Sequence, residues 1–283
     1  MWFRNLTVFR FEDTPKFEQS ALESALDGYR FTACDPQQME SMGWEPPLND
    51  EAGQLVHAGS GFFLLTARRE QRLLPATVVR DAVNRQVQDI ERQEGRKVGR
   101  RQRTEIRDQL TFEMMPRAFT RSNPVQGMLM PECRALVVDA ASRNRAEEWA
   151  SLLRLTLGSL PVSPIAFKKP LTDVFTGWVS GKLPLPSGVE LGDECVLVSP
   201  SKEGQVVRCR KLNLAAGEVD AHIKAGLVVS RLAISWQGAM DFSLTDEGDI
   251  RKLQLQDTEI EQVEQEGVQD EAAEFDARCN LLG

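Results

Sequence analysis

The sequence of 283 residues predicts an α+β fold in which antiparallel sheets pack against helices and a two-helix hairpin projects from the body. Two observations predict the sheets: apolar and polar residues alternate near the N-terminus, and five short apolar segments follow residue 184. The hairpin is predicted by two narrow apolar stripes of helical period between residues 75 and 116. Hydrophobic residues make up 41% and charged residues 27% of the chain, which is typical of a globular protein with a buried core.

The N-terminal segment is predicted to contain a strand, a helix and a β-hairpin. Residues 2–11 alternate between apolar and polar side chains and predict a strand, whereas residues 17–26 follow helical spacing. In residues 55–70, a Gly-Ser-Gly sequence at 59–61 separates two apolar runs and predicts a hairpin turn. Residues 42–50, MGWEPPLND, are predicted to form a loop because they contain a glycine, paired prolines and Asn-Asp.

Residues 75–116 are predicted to form an αα-hairpin that stands out from the body. Gly95 and Gly99 interrupt the helical period between the two arms, and Pro116 ends it. The first arm, about 17 residues long, would project roughly 25 Å. Its apolar stripe is narrow, so little of the hairpin is expected to pack on the body. The stripes consist of Val79, Val83, Val87 and Ile90 in the first arm and of Ile106, Leu110 and Met114 in the second.

The rest of the chain is predicted to form further strands and helices in two groups. Residues 134–140 predict a strand, residues 143–157 and 171–179 predict helices, and no element is predicted for residues 116–133. After LPLPSG, which is typical of a boundary between lobes, a short helix over 219–224 lies among five predicted strands. These strands are CVLVSP, QVVRCRKLNL, LVVSRLAISW, MDFSL and IRKLQL.

This pattern predicts three structural units. Residues 1–74 and 117–183 are expected to form a central α+β lobe, and residues 75–116 a projecting basic helical hairpin. Residues 184–283 are expected to form a C-terminal α+β lobe that ends in an acidic tail.

Charge is segregated along the chain, although the net formal charge is −8. Residues 66–121 contain 14 basic and 8 acidic residues, whereas residues 241–283 contain 3 basic and 13 acidic ones. The hairpin tip, GRKVGRRQR at residues 95–103, has five basic residues and no acidic one. Two interpretations remain open: the tip is an ordinary solvated surface, or it binds a polyanion. In the second case, the acidic tail is expected to compete with the polyanion for the basic surface.

Most enzyme classes and a membrane-spanning role find no support in the sequence. No apolar run approaches the roughly 20 residues that span a bilayer, and the five cysteines are scattered without a CxxC pair, as in a reducing cytoplasm. There are only two histidines, no HExxH, no GxxxxGK[ST] and no GxGxxG after a strand. A cysteine nucleophile with a histidine base stays open, but no local motif supports it. We therefore assign no catalytic residue, metal ligand or cofactor.

Basic residues form three candidate clusters for contacts with a polyanion. Arginine predominates, and its forked guanidinium suits phosphate oxygens. Arg208 and Arg210 share a strand face because side chains alternate with a period of two. Phe119 lies between two arginines and is a core residue, a stacking platform for single strands or an anchor in a protein interface. The clusters are Arg96, Lys97, Arg100, Arg101 and Arg103; Arg117 and Arg121; and Arg208, Arg210, Lys211, Lys224 and Arg231.

Seven blocks of the sequence resemble, in order, the bacterial recombination-associated RdgC family. The resemblance implies a ring-shaped homodimer that encircles double-stranded DNA without sequence preference, belongs to the cytoplasmic nucleoid and restrains RecA-type recombinase without catalysis. By position, it implies that Phe119 lies in the dimer-closing region and that Lys211 and its neighbours face DNA. A protein-interaction scaffold without DNA binding, or a nuclease, would be the alternative. The blocks are MWFRNLTVFR, MGWEPP, LPATVVRDAV, MPRAFTR, LLRLTLGSLPVSP, HIKAGLVVSRLAISWQ and EFDA.

Overall fold

The computed structural model describes residues 3–48, 53–59, 61–201, 204–214, 217, 219–256, 273, 275, 276 and 279. Within these residues the chain forms one large antiparallel sheet and six α-helices, which confirms the predicted α+β class. The strands are β1 Leu6–Phe11, β2 Glu40–Glu45, β3 Val56–Gly59, β4 Phe62–Leu73, β5 Phe119–Met130, β6 Ala135–Asp139, β7 Val162–Pro164, β8 Val189–Val198, β9 Val206–Arg210, β10 Val228–Trp236, β11 Met240–Thr245 and β12 Ile250–Leu255. The helices are α1 Gln19–Asp27, α2 Ala76–Glu94, α3 Arg100–Met114, α4 Arg143–Leu157, α5 Leu171–Val179 and α6 Asp220–Lys224.

The sheet runs through both the predicted central lobe and the predicted C-terminal lobe. Its strand order is β2-β4-β5-β6-β1-β12-β11-β10-β8-β9, with β3 paired to β4 and β7 paired to β1. Strand β1 joins the two halves: it pairs with β6 over five residues and meets β12 at Leu6 opposite Ile250. Strand β9, which carries two of the candidate arginines, lies at one end of this order.

The first core lies in the central lobe, where α1 and α4 cover one face of the sheet. Trp44 from β2 and Trp149 from α4 meet edge to face, with ring centroids 5.3 Å apart. Each indole nitrogen donates a hydrogen bond, that of Trp149 to the Val125 carbonyl at 3.1 Å, so neither polar group is left unpaired. Gly127 makes room for this packing, because a Cβ there would lie 2.3 Å from the Trp149 ring.

A second core forms in the C-terminal lobe, where α5 packs on strands β8 and β10. It buries alternate residues of the strands, including Leu197, Cys209 and Leu232. Because neighbouring side chains point to opposite faces of a strand, the residues between the buried ones emerge on the other face. That open face of the sheet carries the candidate arginines of this lobe.

The predicted helical hairpin is confirmed as α2 and α3. Val79, Val83, Val87 and Ile106 form a small core of their own between the two helices. Gly95 ends α2 in the left-handed conformation, with φ 67°, which a glycine adopts without strain.

Two parts of the predicted secondary structure were wrong. Strand β2 includes residues 42–45 of the predicted loop, and β5 fills much of the segment for which no element was predicted. Pro124 obscured β5, since proline has no N–H for a sheet ladder. It is tolerated because β6 pairs with β5 only from Gly127 onward, which leaves Pro124 on a strand edge.

Candidate nucleic-acid interface

Three of the candidate arginines meet in a cleft on the open face of the C-terminal sheet. Arg208 of β9 and Arg231 of β10 both register with Val196, which lies between them on β8. Two strand spacings, or roughly 10 Å, therefore separate their Cα atoms. Arg210 follows on the same face of β9, and the cleft has a volume of about 360 Å³. Ser230, Ser243 and Thr245 also contribute to its lining.

Lys252 of β12 is a fourth cation in this cleft, although the sequence pattern does not predict it there. The register between β11 and β12 shifts here, because Asp241 pairs with Gln254 while Ser243 pairs with Arg251. Lys252 occupies the resulting bulge with a φ of 55°, so its position departs from the simple two-residue strand period. A positive φ at a lysine inside a predicted strand has no signal in the sequence pattern.

Glu194 of β8 lies among these cations. Its Oε2 accepts a hydrogen bond from Lys252 Nζ at 2.7 Å. The bond from Lys252, and then the nearby charges of Arg210 and Arg231, lower the pKa of Glu194 below its usual value despite some desolvation. The carboxylate is therefore ionised at neutral pH and experiences the positive field of three side chains.

The other two candidates of this lobe lie outside the cleft. Lys211 follows directly after β9 with a φ of 56°, and Lys224 ends α6. Both side chains are exposed, but neither contributes to the lining. The structure thus brings together Arg208, Arg210 and Arg231 and leaves the two lysines on the surrounding surface.

The hairpin tip presents all five of its predicted basic side chains to solvent. Some have partners within the hairpin: Arg96 pairs with Glu94 at 2.7 Å, Arg101 pairs with Glu105 at 3.2 Å, and Arg103 bonds the Asn84 side chain. Exposed pairs of this kind contribute little stability. These side chains can therefore exchange a carboxylate for another anion at small energetic cost.

Phe119 is the most exposed large hydrophobic side chain of the described residues, at 84%. It begins β5 opposite Leu73, which is itself 47% exposed, so it is not a core residue of this chain. Arg121 lies two residues along the same strand, on the same face, and is exposed. Arg117 is exposed in the 3-10 turn before the strand. Among the described strands, none pairs with this side of β5 before Gly127, so an open strand edge begins at Phe119.

Two thiols that could have served as nucleophiles are held protonated. Burial and the adjacent Cys209 raise the pKa of Cys195 to about 12. Burial and the charge of Asp276, which is hydrogen-bonded to His57 at 2.9 Å, raise the pKa of Cys279 to about 12. A thiol is nucleophilic only as the thiolate, so neither environment favours covalent catalysis.

The acidic stretch of the tail lies almost entirely outside the described residues. Phe275, which follows it, is buried against Phe3 and Phe62 in a third core cluster. Deleting everything after Gln256 would therefore remove a core residue together with the carboxylates. Such a deletion does not isolate the expected competition between the tail and a polyanion.

The described residues contain neither a membrane-spanning helix nor a metal-binding cluster of side chains. No helix there is long and apolar enough to cross a membrane. The same residues contain no group of three or more His, Cys, Asp and Glu side chains arranged to hold a metal ion.

Comparison with known proteins places the chain among recombination-associated proteins. A family model described as "RdgC: Putative exonuclease, RdgC" matches residues 1–283. Proteins named "Recombination-associated protein RdgC" from Pseudomonas putida (strain GB-1) and Proteus mirabilis (strain HI4320) are 36% and 35% identical over 283 residues, covering all of this chain and 92% and 93% of the relatives. The Pseudomonas aeruginosa PAO1 relative is 35% identical over 283 residues, all of this chain and 92% of its own. The chain belongs to the RdgC family, as its sequence blocks predicted.

Proposed function

We propose that this protein binds double-stranded DNA without sequence specificity, as a ring-shaped homodimer that encircles the duplex. The observation that carries the proposal is the cleft in which Arg208, Arg210, Arg231 and Lys252 converge from three strands of one sheet face. Such a surface suits closely spaced phosphates, because each cation that contacts a phosphate releases a condensed counterion. The exposed arginines of the hairpin tip supply a second basic surface for the same polyanion.

The proposed binding mode is electrostatic and independent of base sequence. Phosphate contacts position a protein on DNA, whereas base edges must be read in a groove by a helix or strand that enters it. The cleft lies on an open sheet face and the tip on a short turn between two helices. In the nucleoid, coverage of the duplex would restrain RecA-type recombinase by occupying the DNA that it needs.

Phe119 and the free edge of β5 support the proposed dimer. An exposed phenylalanine beside an unpaired strand edge is a surface that proteins normally cover. If two protomers close a ring at this surface, the basic residues of the cleft and of the hairpin tip would face a central hole. The three units expected from the sequence would then serve as a dimer-closing central lobe, a basic arm and a basic C-terminal lobe.

The Phe119→Ala variant is expected to dimerise more weakly than the wild type, because truncation of an interface anchor typically costs about 2 kcal/mol or more. Sedimentation velocity across a range of protein concentrations measures the monomer–dimer equilibrium. Phe112→Ala is a suitable control, since Phe112 is also exposed, at 58%, but lies on α3. Equal dimerisation of Phe119→Ala and the wild type would place the interface elsewhere.

The tip is tested by replacing Arg100, Arg101 and Arg103 together with alanine. We expect weaker binding to every duplex sequence alike and a salt slope smaller in magnitude by up to about 6, one for each phosphate contact that the two protomers lose. Fluorescence anisotropy with labelled duplexes of different sequence measures both quantities. The matched control removes three exposed cations of the central lobe, Arg10, Lys16 and Arg30, and should leave the slope unchanged. Loss of binding to one sequence only would argue against backbone contact.

The same protein and DNA samples distinguish the proposed DNA-binding function from a protein-interaction scaffold and from a nuclease. A scaffold without DNA affinity would give no anisotropy change even at low salt. The family description names a putative exonuclease, and such an enzyme would shorten the duplex during incubation with Mg²⁺. We expect full-length DNA on a denaturing gel.

A further inference from the structure

We propose that Glu194 is an internal counter-anion of the basic cleft, which a DNA phosphate must displace, and that Lys252 becomes a DNA contact when this happens. The inference rests on the proposed DNA-binding function and assigns a role to two residues outside the predicted site. Glu194 would then limit the affinity of the protein for DNA.

The geometry places the Glu194 carboxylate where a ligand oxygen would bind. Glu194 is the register partner of Arg210 on β9, and its Oε2 lies 2.7 Å from Lys252 Nζ. The two strands that supply these cations, β9 and β12, are not neighbours in the sheet, so Glu194 connects opposite sides of the cleft. Within the described residues, this is the one ion pair formed between lining residues of the cleft.

The pair is accessible to a competing anion. The side chains of Glu194 and Lys252 are 35% and 57% exposed, so an incoming phosphate can reach both without rearrangement of the core. Ion pairs at this level of exposure contribute only about 0–1 kcal/mol, and breaking one is a small obstacle to ligand entry. The lowered pKa of Glu194 agrees with its position, since it reflects the same three cations that a phosphate would meet.

The charges that line the cleft determine whether loss of the Glu194 carboxylate raises or lowers the affinity for DNA. The cleft is lined by four cations, Arg208, Arg210, Arg231 and Lys252, and by two carboxylates, Glu194 and Asp246. While Glu194 holds Lys252, a phosphate contact of this lysine only replaces its contact with the carboxylate and adds little net affinity. The carboxylate also repels a phosphate. Removal of its charge would therefore free Lys252 and remove the repulsion together.

The test is a double-mutant cycle on DNA affinity, with duplexes of random sequence as the probe. Glu194→Gln is expected to bind about five- to tenfold more tightly near 0.1 M salt, with a salt slope steeper by about two for the dimer, because Lys252 of each protomer then contacts a phosphate without first leaving a carboxylate. Lys252→Gln alone should change affinity little, whereas Lys252→Gln in the Glu194→Gln background should reverse the gain. That coupling distinguishes a displaced ion pair from a general change of net charge.

Glu190→Gln is the matched control, because Glu190 is an exposed carboxylate on the same strand but does not line the cleft. It should bind DNA as the wild type does. If the wild type binds DNA and the Glu194 and Glu190 variants are indistinguishable, the counter-anion inference is overturned while the proposed function stands. If the wild type binds no DNA even at low salt, the proposed function fails and the inference fails with it. Thermal melting of each variant confirms that the compared proteins are folded.

Discussion

The affinity of the protein for random-sequence duplex DNA is expected to fall about 10³- to 10⁵-fold when the salt concentration rises from about 50 to 200 mM. The reason is counterion release, which links the observed binding constant to the number of neutralised phosphates. If two protomers make roughly 6 to 10 phosphate contacts, a plot of log affinity against log salt has a slope of about −5 to −9. The four cations of the cleft and the arginines of the tip supply enough groups for contacts in this range.

Fluorescence anisotropy at several salt concentrations, with a labelled duplex of fixed length, measures this slope. Two duplexes of the same length and different sequence serve as controls for each other, because contacts to phosphates carry no sequence information. A slope near zero would contradict the electrostatic mechanism. A large difference in affinity between the two sequences would show readout of bases instead.

Local sequence patterns predicted several elements well because the deciding interactions are local. The helix predicted for residues 143–157 forms over that range, with Ser142 accepting a backbone hydrogen bond at its start and Gly158 in the left-handed conformation at its end. The hairpin tip was also predicted correctly, since two glycines interrupt a regular apolar stripe. In each case the residues that decide the structure lie within a few positions of one another.

Elements that depend on distant partners were harder to predict. Strand β5 contains a proline and an exposed phenylalanine, and only its long pairing with β4 explains why it forms. The composition of the cleft was also difficult to predict from local sequence. The strand period placed Arg208 and Arg210 on one face, but β8 separates them from Arg231, and a bulge brings Lys252 to the cleft. Pairing of strands distant in sequence decides these neighbours.

The Asp249→Asn substitution is expected to destabilise the protein by about 3–5 kcal/mol, because it leaves the largely buried charge of Arg251 without its carboxylate partner. The Asp249 side chain is only 4% exposed and contacts two guanidinium groups, Arg143 Nη2 at 3.1 Å and Arg251 Nη2 at 2.8 Å. Arg251 also donates a hydrogen bond to the Ala140 carbonyl at 2.8 Å. Asparagine has nearly the same shape as aspartate, so the change removes charge while the packing is retained.

This cluster lies where the two halves of the sheet meet, which explains the size of the expected effect. Arg143 begins α4 of the central lobe, whereas Asp249 and Arg251 belong to the β11–β12 hairpin of the C-terminal lobe. Across the same junction, strand β1 registers with β12 only at Leu6. The ion cluster therefore holds β12 against the central lobe.

Urea denaturation followed by circular dichroism measures the free energy of unfolding of the Asp249→Asn variant. Glu247→Gln is the matched control, since Glu247 pairs with the same Arg143 at 3.2 Å but is 63% exposed, and its loss should cost no more than about 1 kcal/mol. Equal stability of the two variants would show that burial of the Asp249 cluster does not matter.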